Sequence, residues 1–301
     1  MSNDRVSMTR DEQKKVMLNI LLEFAEYCEK KELRYFLDAG TLLGAIRHKG
    51  YIPWDDDVDV NMPIEDYDKF IQLTKKNKGH ISEHLRVEYP EETIYPFLKI
   101  SDDRTILVEF PRKYPMEVGV YIDVFPKVGL SNNKFEAKCL CSICAFLGNL
   151  HWFGKFSIYA WKNSDNNIKK CIAAIGRKVI KNPNFFIGIQ SELIHKNIKN
   201  HPLKKCKYVT TLTNGEFNKR CDKNCFEQYV MMDFENQKFK VPRKYNEYLS
   251  CLYSETYMEL PPVEKRISHD TIIFWKSTGA RKETLNEIKE KKIKIKSWKE
   301  I

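Results

Sequence analysis

The sequence predicts an α+β protein, with helices flanking a mixed β-sheet core and a mostly helical insertion in the middle of the chain. Three observations lead to this fold class. Up to residue 132, short β-prone runs alternate with helical patterns, whereas residues 133–205 contain long apolar stretches without strand alternation. Short strand candidates then return after residue 205.

The composition is that of a globular protein with a preference for anionic partners. The chain has 301 residues, of which 42% are hydrophobic, which suffices for one large domain carrying an insertion. A net charge of +10 favours nucleic acid, phosphorylated substrates or an anionic membrane surface. The chain lacks the interleaved aromatic and basic residues of RNA-binding modules and a basic recognition helix, so we expect no nucleic-acid partner.

Cysteine usage favours a reducing compartment. The chain has nine Cys, an odd number, and its N-terminus has no apolar stretch typical of a signal peptide. We therefore expect a cytoplasmic protein. Cys139, Cys141 and Cys144 have a spacing that also occurs in zinc sites, but they lie in an apolar run, which favours small buried hydrophobic residues over zinc ligands.

The first 132 residues supply most of the predicted core elements. A capping box at Thr9 and Glu12, followed by apolar residues at helical spacing, predicts a packing helix over 10–31. Gly and Pro separate the elements that follow. The other predicted elements here are strands over 33–37, 57–62, 87–89, 95–100, 105–110 and 118–125, and helices over 41–47 and 63–73.

The rest of the chain divides into three segments. Residues 133–205 are predicted as a helical insertion, and the aromatic residues of 152–161 fit either packing on the core or contact with a membrane surface. Residues 206–280 are predicted to complete the active-site domain, with a strand near 208–212 and a helix ending at 253. Residues 281–301 are rich in Lys and Glu, which predicts a solvated helix or a frayed end.

Acidic residues mark the candidate metal site. Asp57 and Asp59 alternate with Val58 and Val60, so on a strand both carboxylates would share one face while the valines enter the core. A pair of carboxylates on one face binds a hard cation such as Mg²⁺ through oxygen. Asp123 lies alone in an apolar run, where a charge is costly unless it is paired or bound to metal, and is the candidate third carboxylate.

Phosphate contacts are predicted around the same acids. The Gly40-Thr41 turn between a strand and a helix offers N–H groups and a hydroxyl to a phosphate. Arg47 is a candidate for bidentate phosphate contact and Lys99 for a second positive contact, although a salt bridge to the acidic cluster explains either residue as well. His48 fits donor binding and capping of the helix end equally.

These segments resemble the LicD family, which includes bacterial phosphocholine transferases and the animal fukutin-related proteins. The resemblance covers the first 130 residues well and 208–270 more loosely. The matching pieces are residues 40–48 (GTLLGAIRH), 52–59 (IPWDDDVD), Lys99, 104–105, 122–126 (IDVFP) and a looser piece over 241–262.

The resemblance implies a nucleotidyltransferase-like catalytic core over 1–132, with a divalent metal, Mg²⁺ or else Mn²⁺, held by Asp57, Asp59 and Asp123. It implies a phosphotransferase that moves a phospho-alcohol, phosphocholine first, from a CDP-alcohol to a glycan hydroxyl and releases CMP. A glycan or lipid-linked oligosaccharide at the inner face of the plasma membrane is the implied acceptor. Tyr253-Ser254-Glu255 replaces the Tyr-Gly-Asp of many members, so the acceptor or the alcohol is expected to differ from theirs.

Two other function classes fit parts of the pattern. An Asp-x-Asp glycosyltransferase would hold a nucleotide-sugar diphosphate through metal, but such enzymes place a long nucleotide-binding unit ahead of the acids. Here the Gly-Thr turn at Gly40 stands close before Asp57. A non-catalytic member of the fold is the other alternative, and the intact set of acids argues against it.

Overall fold

The computed structural model describes residues 4–109, 116–163, 167–266, 268–269 and 271–296. Within this part of the chain, a mixed sheet of nine strands forms the core, which confirms the α+β fold class. The main strand order is β1-β11-β5-β6-β3-β2, with β4 beside β5 and with β7 and β8 extending from β6. β3 and β6 run parallel, and the other pairs are antiparallel.

The elements have the following bounds. The sheet strands are β1 (Val6–Ser7), β2 (Phe36–Leu37), β3 (Asp59–Pro63), β4 (Leu85–Glu88), β5 (Leu98–Glu109), β6 (Met116–Gly129), β7 (Tyr208–Thr210), β8 (Cys221–Asp222) and β11 (Thr271–Trp275), while β9 (Tyr229–Phe234) and β10 (Gln237–Pro242) form a separate hairpin. The helices are α1 (Arg10–Lys30), α2 (Ala39–Arg47), α3 (Ile64–Lys76), α4 (Lys134–Asn163), α5 (Asn167–Val179), α6 (Asn184–Asn200), α7 (Tyr245–Leu252) and α8 (Thr278–Glu290).

The structure agrees with most predicted elements of the first 132 residues and corrects two. The Thr9–Glu12 capping box is present, and α1 ends within one residue of the prediction. The two strands predicted over 95–110 are one long strand, β5. Asp57 lies before β3 and not on it, so Asp57 and Asp59 do not share a strand face. The valines between the acids are nevertheless buried, as the alternation predicted.

The insertion is helical as predicted, built from α4, α5 and α6. Trp152 and Phe156 stack at 5.1 Å between ring centroids and are both half-buried, as the packing alternative expected. The side chains of residues 159–163 lie outside the described part of the structure. None of the described helices is both long and apolar enough to cross a bilayer. All nine Cys are free thiols, and Cys141 and Cys144 are buried among apolar side chains.

The C-terminal segment is more ordered than its composition indicated. α8 begins at Thr278, packs against α1, β5 and β11, and buries Thr284 and Ile288. Its Glu287 accepts a hydrogen bond from Arg104 of β5 at 2.9 Å. Of the two alternatives expected from residue 281, a solvated helix or a frayed end, the helix is present in α8, and most of its residues from 281 to 290 are exposed. A buried side and a specific ion pair attach this helix to the core.

Candidate active site

Two of the predicted acids meet on the parallel strand pair. Asp59 at the start of β3 is the register partner of Asp123 on β6, and the Asp123 N–H donates to the carbonyl of Val58 at 2.8 Å. Buried Val58 and Val60 anchor β3 from the core side. Pairing across neighbouring strands therefore places two carboxylates side by side, although they are far apart in the sequence.

The turn before α2 is tied to the same strand. Asp38 caps the helix by accepting a hydrogen bond from Ala39 N–H at 2.9 Å, and the Thr41 hydroxyl accepts one from Asp59 N–H at 2.9 Å. Ala39 has a φ of 42°, a left-handed conformation that is uncommon outside glycine. Strained backbone of this kind concentrates at functional sites. Thr41 thus holds the start of β3 in place, and its side chain is buried.

Gly40 is required by a close approach. A Cβ at this position would lie 2.5 Å from Oδ2 of Asp55, so the Asp55 carboxylate occupies the space beside the bare backbone. Burial, then the charge of Asp57, raises the pKa of Asp55 to about 8.

The pKa values of Asp59 and Asp123 are raised as well. Burial, followed by the charges of Asp57 and Asp123, raises the pKa of Asp59 well above its ordinary value. Burial raises the pKa of Asp123 to about 6, against the opposing effect of Lys99. Repulsion between neighbouring carboxylates therefore adds to the effect of burial in this cluster. A divalent cation would relieve this repulsion, and the donors are all carboxylate oxygens, the ligands that Mg²⁺ prefers.

Asp59 and Asp123 are register partners on neighbouring strands, and Asp55 and Asp57 lie in the loop before β3. In the part of the chain that the structure describes, no three His, Cys, Asp or Glu side chains are grouped closely enough to hold a metal ion as they stand. The donor chemistry fits a hard cation, and the ligand set predicted from the sequence remains a prediction.

Lys99 is placed differently from a phosphate-binding residue. Its ammonium donates to Asp123 at 2.7 Å and its side chain is 2% exposed. The nitrogen also lies 4.0 Å from the ring centroid of Tyr95 and 3.4 Å from that of Tyr121. This is the salt-bridge alternative that the sequence left open for Lys99. The residue sits behind Asp123, away from solvent.

A cleft of 740 Å³ opens in front of Asp55, Asp57 and Asp59, and Asp123 is not among the residues that line it. Its lining combines the α2 turn, the acidic loop and the segment 253–265. The lining includes Gly40, Arg47, Trp54, Asp55, Asp57, Asp59 and Tyr253. The cleft is large enough for a nucleotide-sized ligand.

Arg47 and His48 stand at one side of this cleft. The Nη1 of Arg47 donates to the carbonyls of Tyr257 and Glu259, each at 3.0 Å, and so ties the segment 253–265 to α2. His48 caps the end of α2 and lies edge-on to Trp54. Burial, then the nearby Arg47, lowers the pKa of His48 to about 4, so its imidazole is neutral at pH 7.

Lys127 and Tyr248 were not among the site residues predicted from the sequence, whereas Tyr253 was singled out there within Tyr253-Ser254-Glu255. Lys127 on β6 pairs with Asp38 at 3.1 Å, and the Tyr248 hydroxyl donates to the same carboxylate. Lys127 lies two positions beyond Phe125 on the strand that carries Asp123, so period-2 alternation would have placed it on the same face. Tyr253 lines the cleft, and burial with the surrounding Asp charges raises the pKa of its phenol. No local pattern marked Tyr248.

The family model described as "LicD/FKTN/FKRP, nucleotidyltransferase domain" matches residues 32–127. The lipopolysaccharide cholinephosphotransferase LicD of Haemophilus influenzae is 32% identical over 272 residues, which cover 87% of this chain and 96% of that protein. The ribitol 5-phosphate transferase FKRP of Mus musculus is 30% identical over 116 residues, 35% of this chain and 24% of that protein. Its human counterpart is 41% identical over 68 residues, 21% of this chain and 14% of that protein.

Proposed function

The chain belongs to the LicD family, and on that premise we propose that it transfers a phospho-alcohol from a CDP-alcohol to a glycan hydroxyl, releasing CMP. Phosphocholine is the first candidate, because the relative that aligns over most of the chain is a cholinephosphotransferase. FKRP, which matches a shorter stretch, is a ribitol 5-phosphate transferase. Both relatives move a phosphorylated alcohol, which supports the reaction class for this chain.

The acidic cluster is the observation that carries this proposal. We propose that Asp57, Asp59 and Asp123 hold Mg²⁺, or Mn²⁺ in its place, at the base of the cleft. Burial is the main cause of the raised pKa values of Asp59 and Asp123, and neighbouring carboxylates raise them further; a divalent cation would favour the charged forms of both acids. When bound, such a metal supplies electrostatic stabilisation of phosphate oxygens.

The residues around the acids are assigned distinct roles. We assign Gly40 the close approach of Asp55 to the helix start, and Thr41 the position of Asp59, whose N–H donates to the Thr41 hydroxyl. Arg47 lines the cleft, and its guanidinium holds the cleft wall through the hydrogen bond to the Tyr257 carbonyl. His48, neutral at pH 7, is suited to a hydrogen bond with the donor. We assign Lys99 the orientation of Asp123, because its buried ammonium is already paired.

Asp123 has a raised pKa of about 6 and an ammonium at 2.7 Å, so it is placed either to complete the metal site or to accept the proton of the attacking hydroxyl. We further propose a cytoplasmic reaction, with the acceptor at the inner face of the plasma membrane. CDP-activated donors are expected on that side.

Thermal shift with candidate donors tests the proposal. The chain is heated with CDP-choline, CDP-ribitol, CDP-glycerol or a UDP-sugar, each with and without Mg²⁺. We expect a magnesium-dependent increase in melting temperature with one CDP-alcohol, and release of CMP when a glycan acceptor is added. A shift with UDP-sugars alone would instead indicate a glycosyltransferase.

Two variants make the test specific to the acids. Asp57→Asn is expected to abolish the magnesium-dependent shift and to lower transfer by about 100-fold or more. Asp233→Asn changes an exposed carboxylate of β9 that pairs with Lys238 at 3.3 Å, and should behave as the unmodified chain. Equal responses of both variants would contradict the assignment.

A further inference from the structure

Helix α5 carries an exposed apolar stripe. Four aliphatic side chains recur at positions i, i+4, i+7 and i+11, which places them on one face of the helix. Their exposed fractions are 73% for Ile168, 49% for Ile172, 64% for Ile175 and 75% for Val179. Exposure of four large aliphatic residues in one row is unusual for a folded protein and marks an interaction surface.

The contacts of α5 with α4 determine which way the stripe faces. Ala173 and Gly176 of α5 are buried, as is Ile180 directly after the helix, and α5 packs against α4. A Cβ at Gly176 would lie 2.3 Å from the Ser157 hydroxyl oxygen, so the two helices touch closely there. Because Gly176 lies against α4 at this distance, the helix cannot rotate to bury its larger aliphatic stripe without losing this contact.

The charge on α5 is of one sign. The helix contains four basic residues and no Asp or Glu. Lys178 is exposed and flanks the stripe at about 90°, whereas Arg177, also exposed, and the half-buried Lys170 lie on the opposite side of the helix. A basic helix with a narrow aliphatic face and little overall hydrophobicity has the composition of helices that lie in the interface of anionic bilayers.

We propose that α5 lies on the surface of a bilayer containing anionic phospholipid, with Ile168, Ile172, Ile175 and Val179 inserted between the headgroups. A second copy of this chain is a poorer occupant, because pairing two helices that each carry four basic residues and no acidic residue would bring like charges together. An anionic surface attracts the same charges. No described helix is suited to span the bilayer, so the contact is peripheral.

The surface differs from the one that the sequence indicated. The sequence leaves lipid contact open for the aromatic residues of 152–161, but Trp152 and Phe156 stack on each other and are half-buried. Other aromatic residues of the insertion are exposed instead: Phe135 by 77%, Phe146 by 62% and Phe185 by 61%. The insertion as a whole therefore presents apolar surface well outside the catalytic cleft.

Vesicle flotation tests this proposal without donor or acceptor, so its outcome is independent of the proposed reaction. The full chain is mixed with vesicles of equal parts phosphatidylglycerol and phosphatidylcholine, or of phosphatidylcholine alone, at low and high salt. We expect binding to the anionic vesicles that weakens as salt rises. Binding that ignores both lipid charge and salt would overturn the electrostatic part of the proposal.

Paired variants locate the contact. Ile172→Ser with Ile175→Ser is expected to lower partitioning onto anionic vesicles by about tenfold or more, because two exposed aliphatic side chains are lost from the inserted face. Met231→Ser with Ile272→Ser removes apolar side chains that are 44% and 47% exposed elsewhere, and should bind as the unmodified chain.

Sedimentation velocity without lipid tests whether a second copy of the chain, instead of a bilayer, covers the stripe. We expect the unmodified chain and the Ile172→Ser, Ile175→Ser variant to sediment alike. If the unmodified chain self-associates, fails to float with vesicles and becomes monomeric in the variant, the stripe is a protein–protein contact and the proposal is wrong. Undiminished vesicle binding by the variant would also overturn it.

Discussion

The ammonium of Lys99 lies 2.7 Å from the carboxylate of Asp123, beneath the rings of Tyr95 and Tyr121 and almost fully out of solvent. This pair connects β5 to β6 directly behind the candidate metal site. Asp123 in turn stands opposite Asp59 on β3. One buried cation therefore sets the position and charge of an acid that the proposed reaction requires.

Removing that cation should destabilise the protein strongly. Lys99→Met leaves Asp123 buried without its partner, which is expected to lower the free energy of unfolding by about 3–5 kcal/mol. Urea unfolding measures the change. The double variant Lys99→Met, Asp123→Asn should recover part of the loss, because it removes both charges. A loss below about 1 kcal/mol in the single variant would show that the pair contributes little.

Arg47 should control the mobility of the cleft wall. Arg47→Met keeps a side chain of similar length but removes the donors to the carbonyls of Tyr257 and Glu259. We expect faster hydrogen exchange across residues 254–262 and a stability loss of about 1 kcal/mol.

Arg243→Met is the matched control for Arg47. Arg243 donates to Gln228 at 2.8 Å on an exposed surface, away from the residues that line the cleft. Its replacement should leave exchange over 254–262 unchanged. Unchanged exchange in Arg47→Met as well would mean that the segment is held by its other contacts.

Two helical glycines should respond oppositely to alanine. A Cβ at Gly44 in α2 would lie 2.5 Å from the carbonyl oxygen of Gly50, a backbone atom that cannot swing aside. Gly44→Ala should therefore cost about 1–3 kcal/mol. A Cβ at Gly188 in α6 meets no atom within 4 Å, so Gly188→Ala should stabilise by up to about 1 kcal/mol. Thermal unfolding of both variants, compared at one pH, gives the two signs.

The stability of the protein should depend on the charge of His269. Its ring Nδ1 lies 2.8 Å from Asp56, which raises the pKa of His269 to about 9, mainly through that hydrogen bond. The same carboxylate also accepts from Arg10. Because the folded-state pKa lies above the ordinary 6.5, this stabilisation is complete below pH 6.5 and is lost as pH rises through 9.

Comparison of melting temperatures at pH 6.5 and 9.5 tests this titration. The decrease should be smaller in His269→Gln, by an amount equivalent to no more than about 1 kcal/mol, since the ring is largely exposed. His80→Gln changes a ring that contacts only the Lys78 carbonyl among the contacts described and serves as control. Identical decreases in His269→Gln and the unmodified chain would contradict the expected contribution.

The sequence by itself determined the family and the fold class, and it predicted which acids form the candidate site. These features are local: the capping box at Thr9, the alternation around Val58 and Val60, and the run of acids from Asp55 each lie within a few neighbouring residues. Backbone propensity and hydrophobic periodicity act over such distances, so α1 and β3 were close to their predicted positions.

Only the tertiary structure decided which side chains meet. The pairing of Lys99 with Asp123 depends on the register of β5 and β6, and that of Asp59 with Asp123 on a parallel pair whose strands are distant in sequence. The contact of Asp55 with Gly40 depends on how a loop folds over a helix start. The exposed face of α5 follows from its packing on α4, because burial is a property of the whole assembly of elements and not of any one helix.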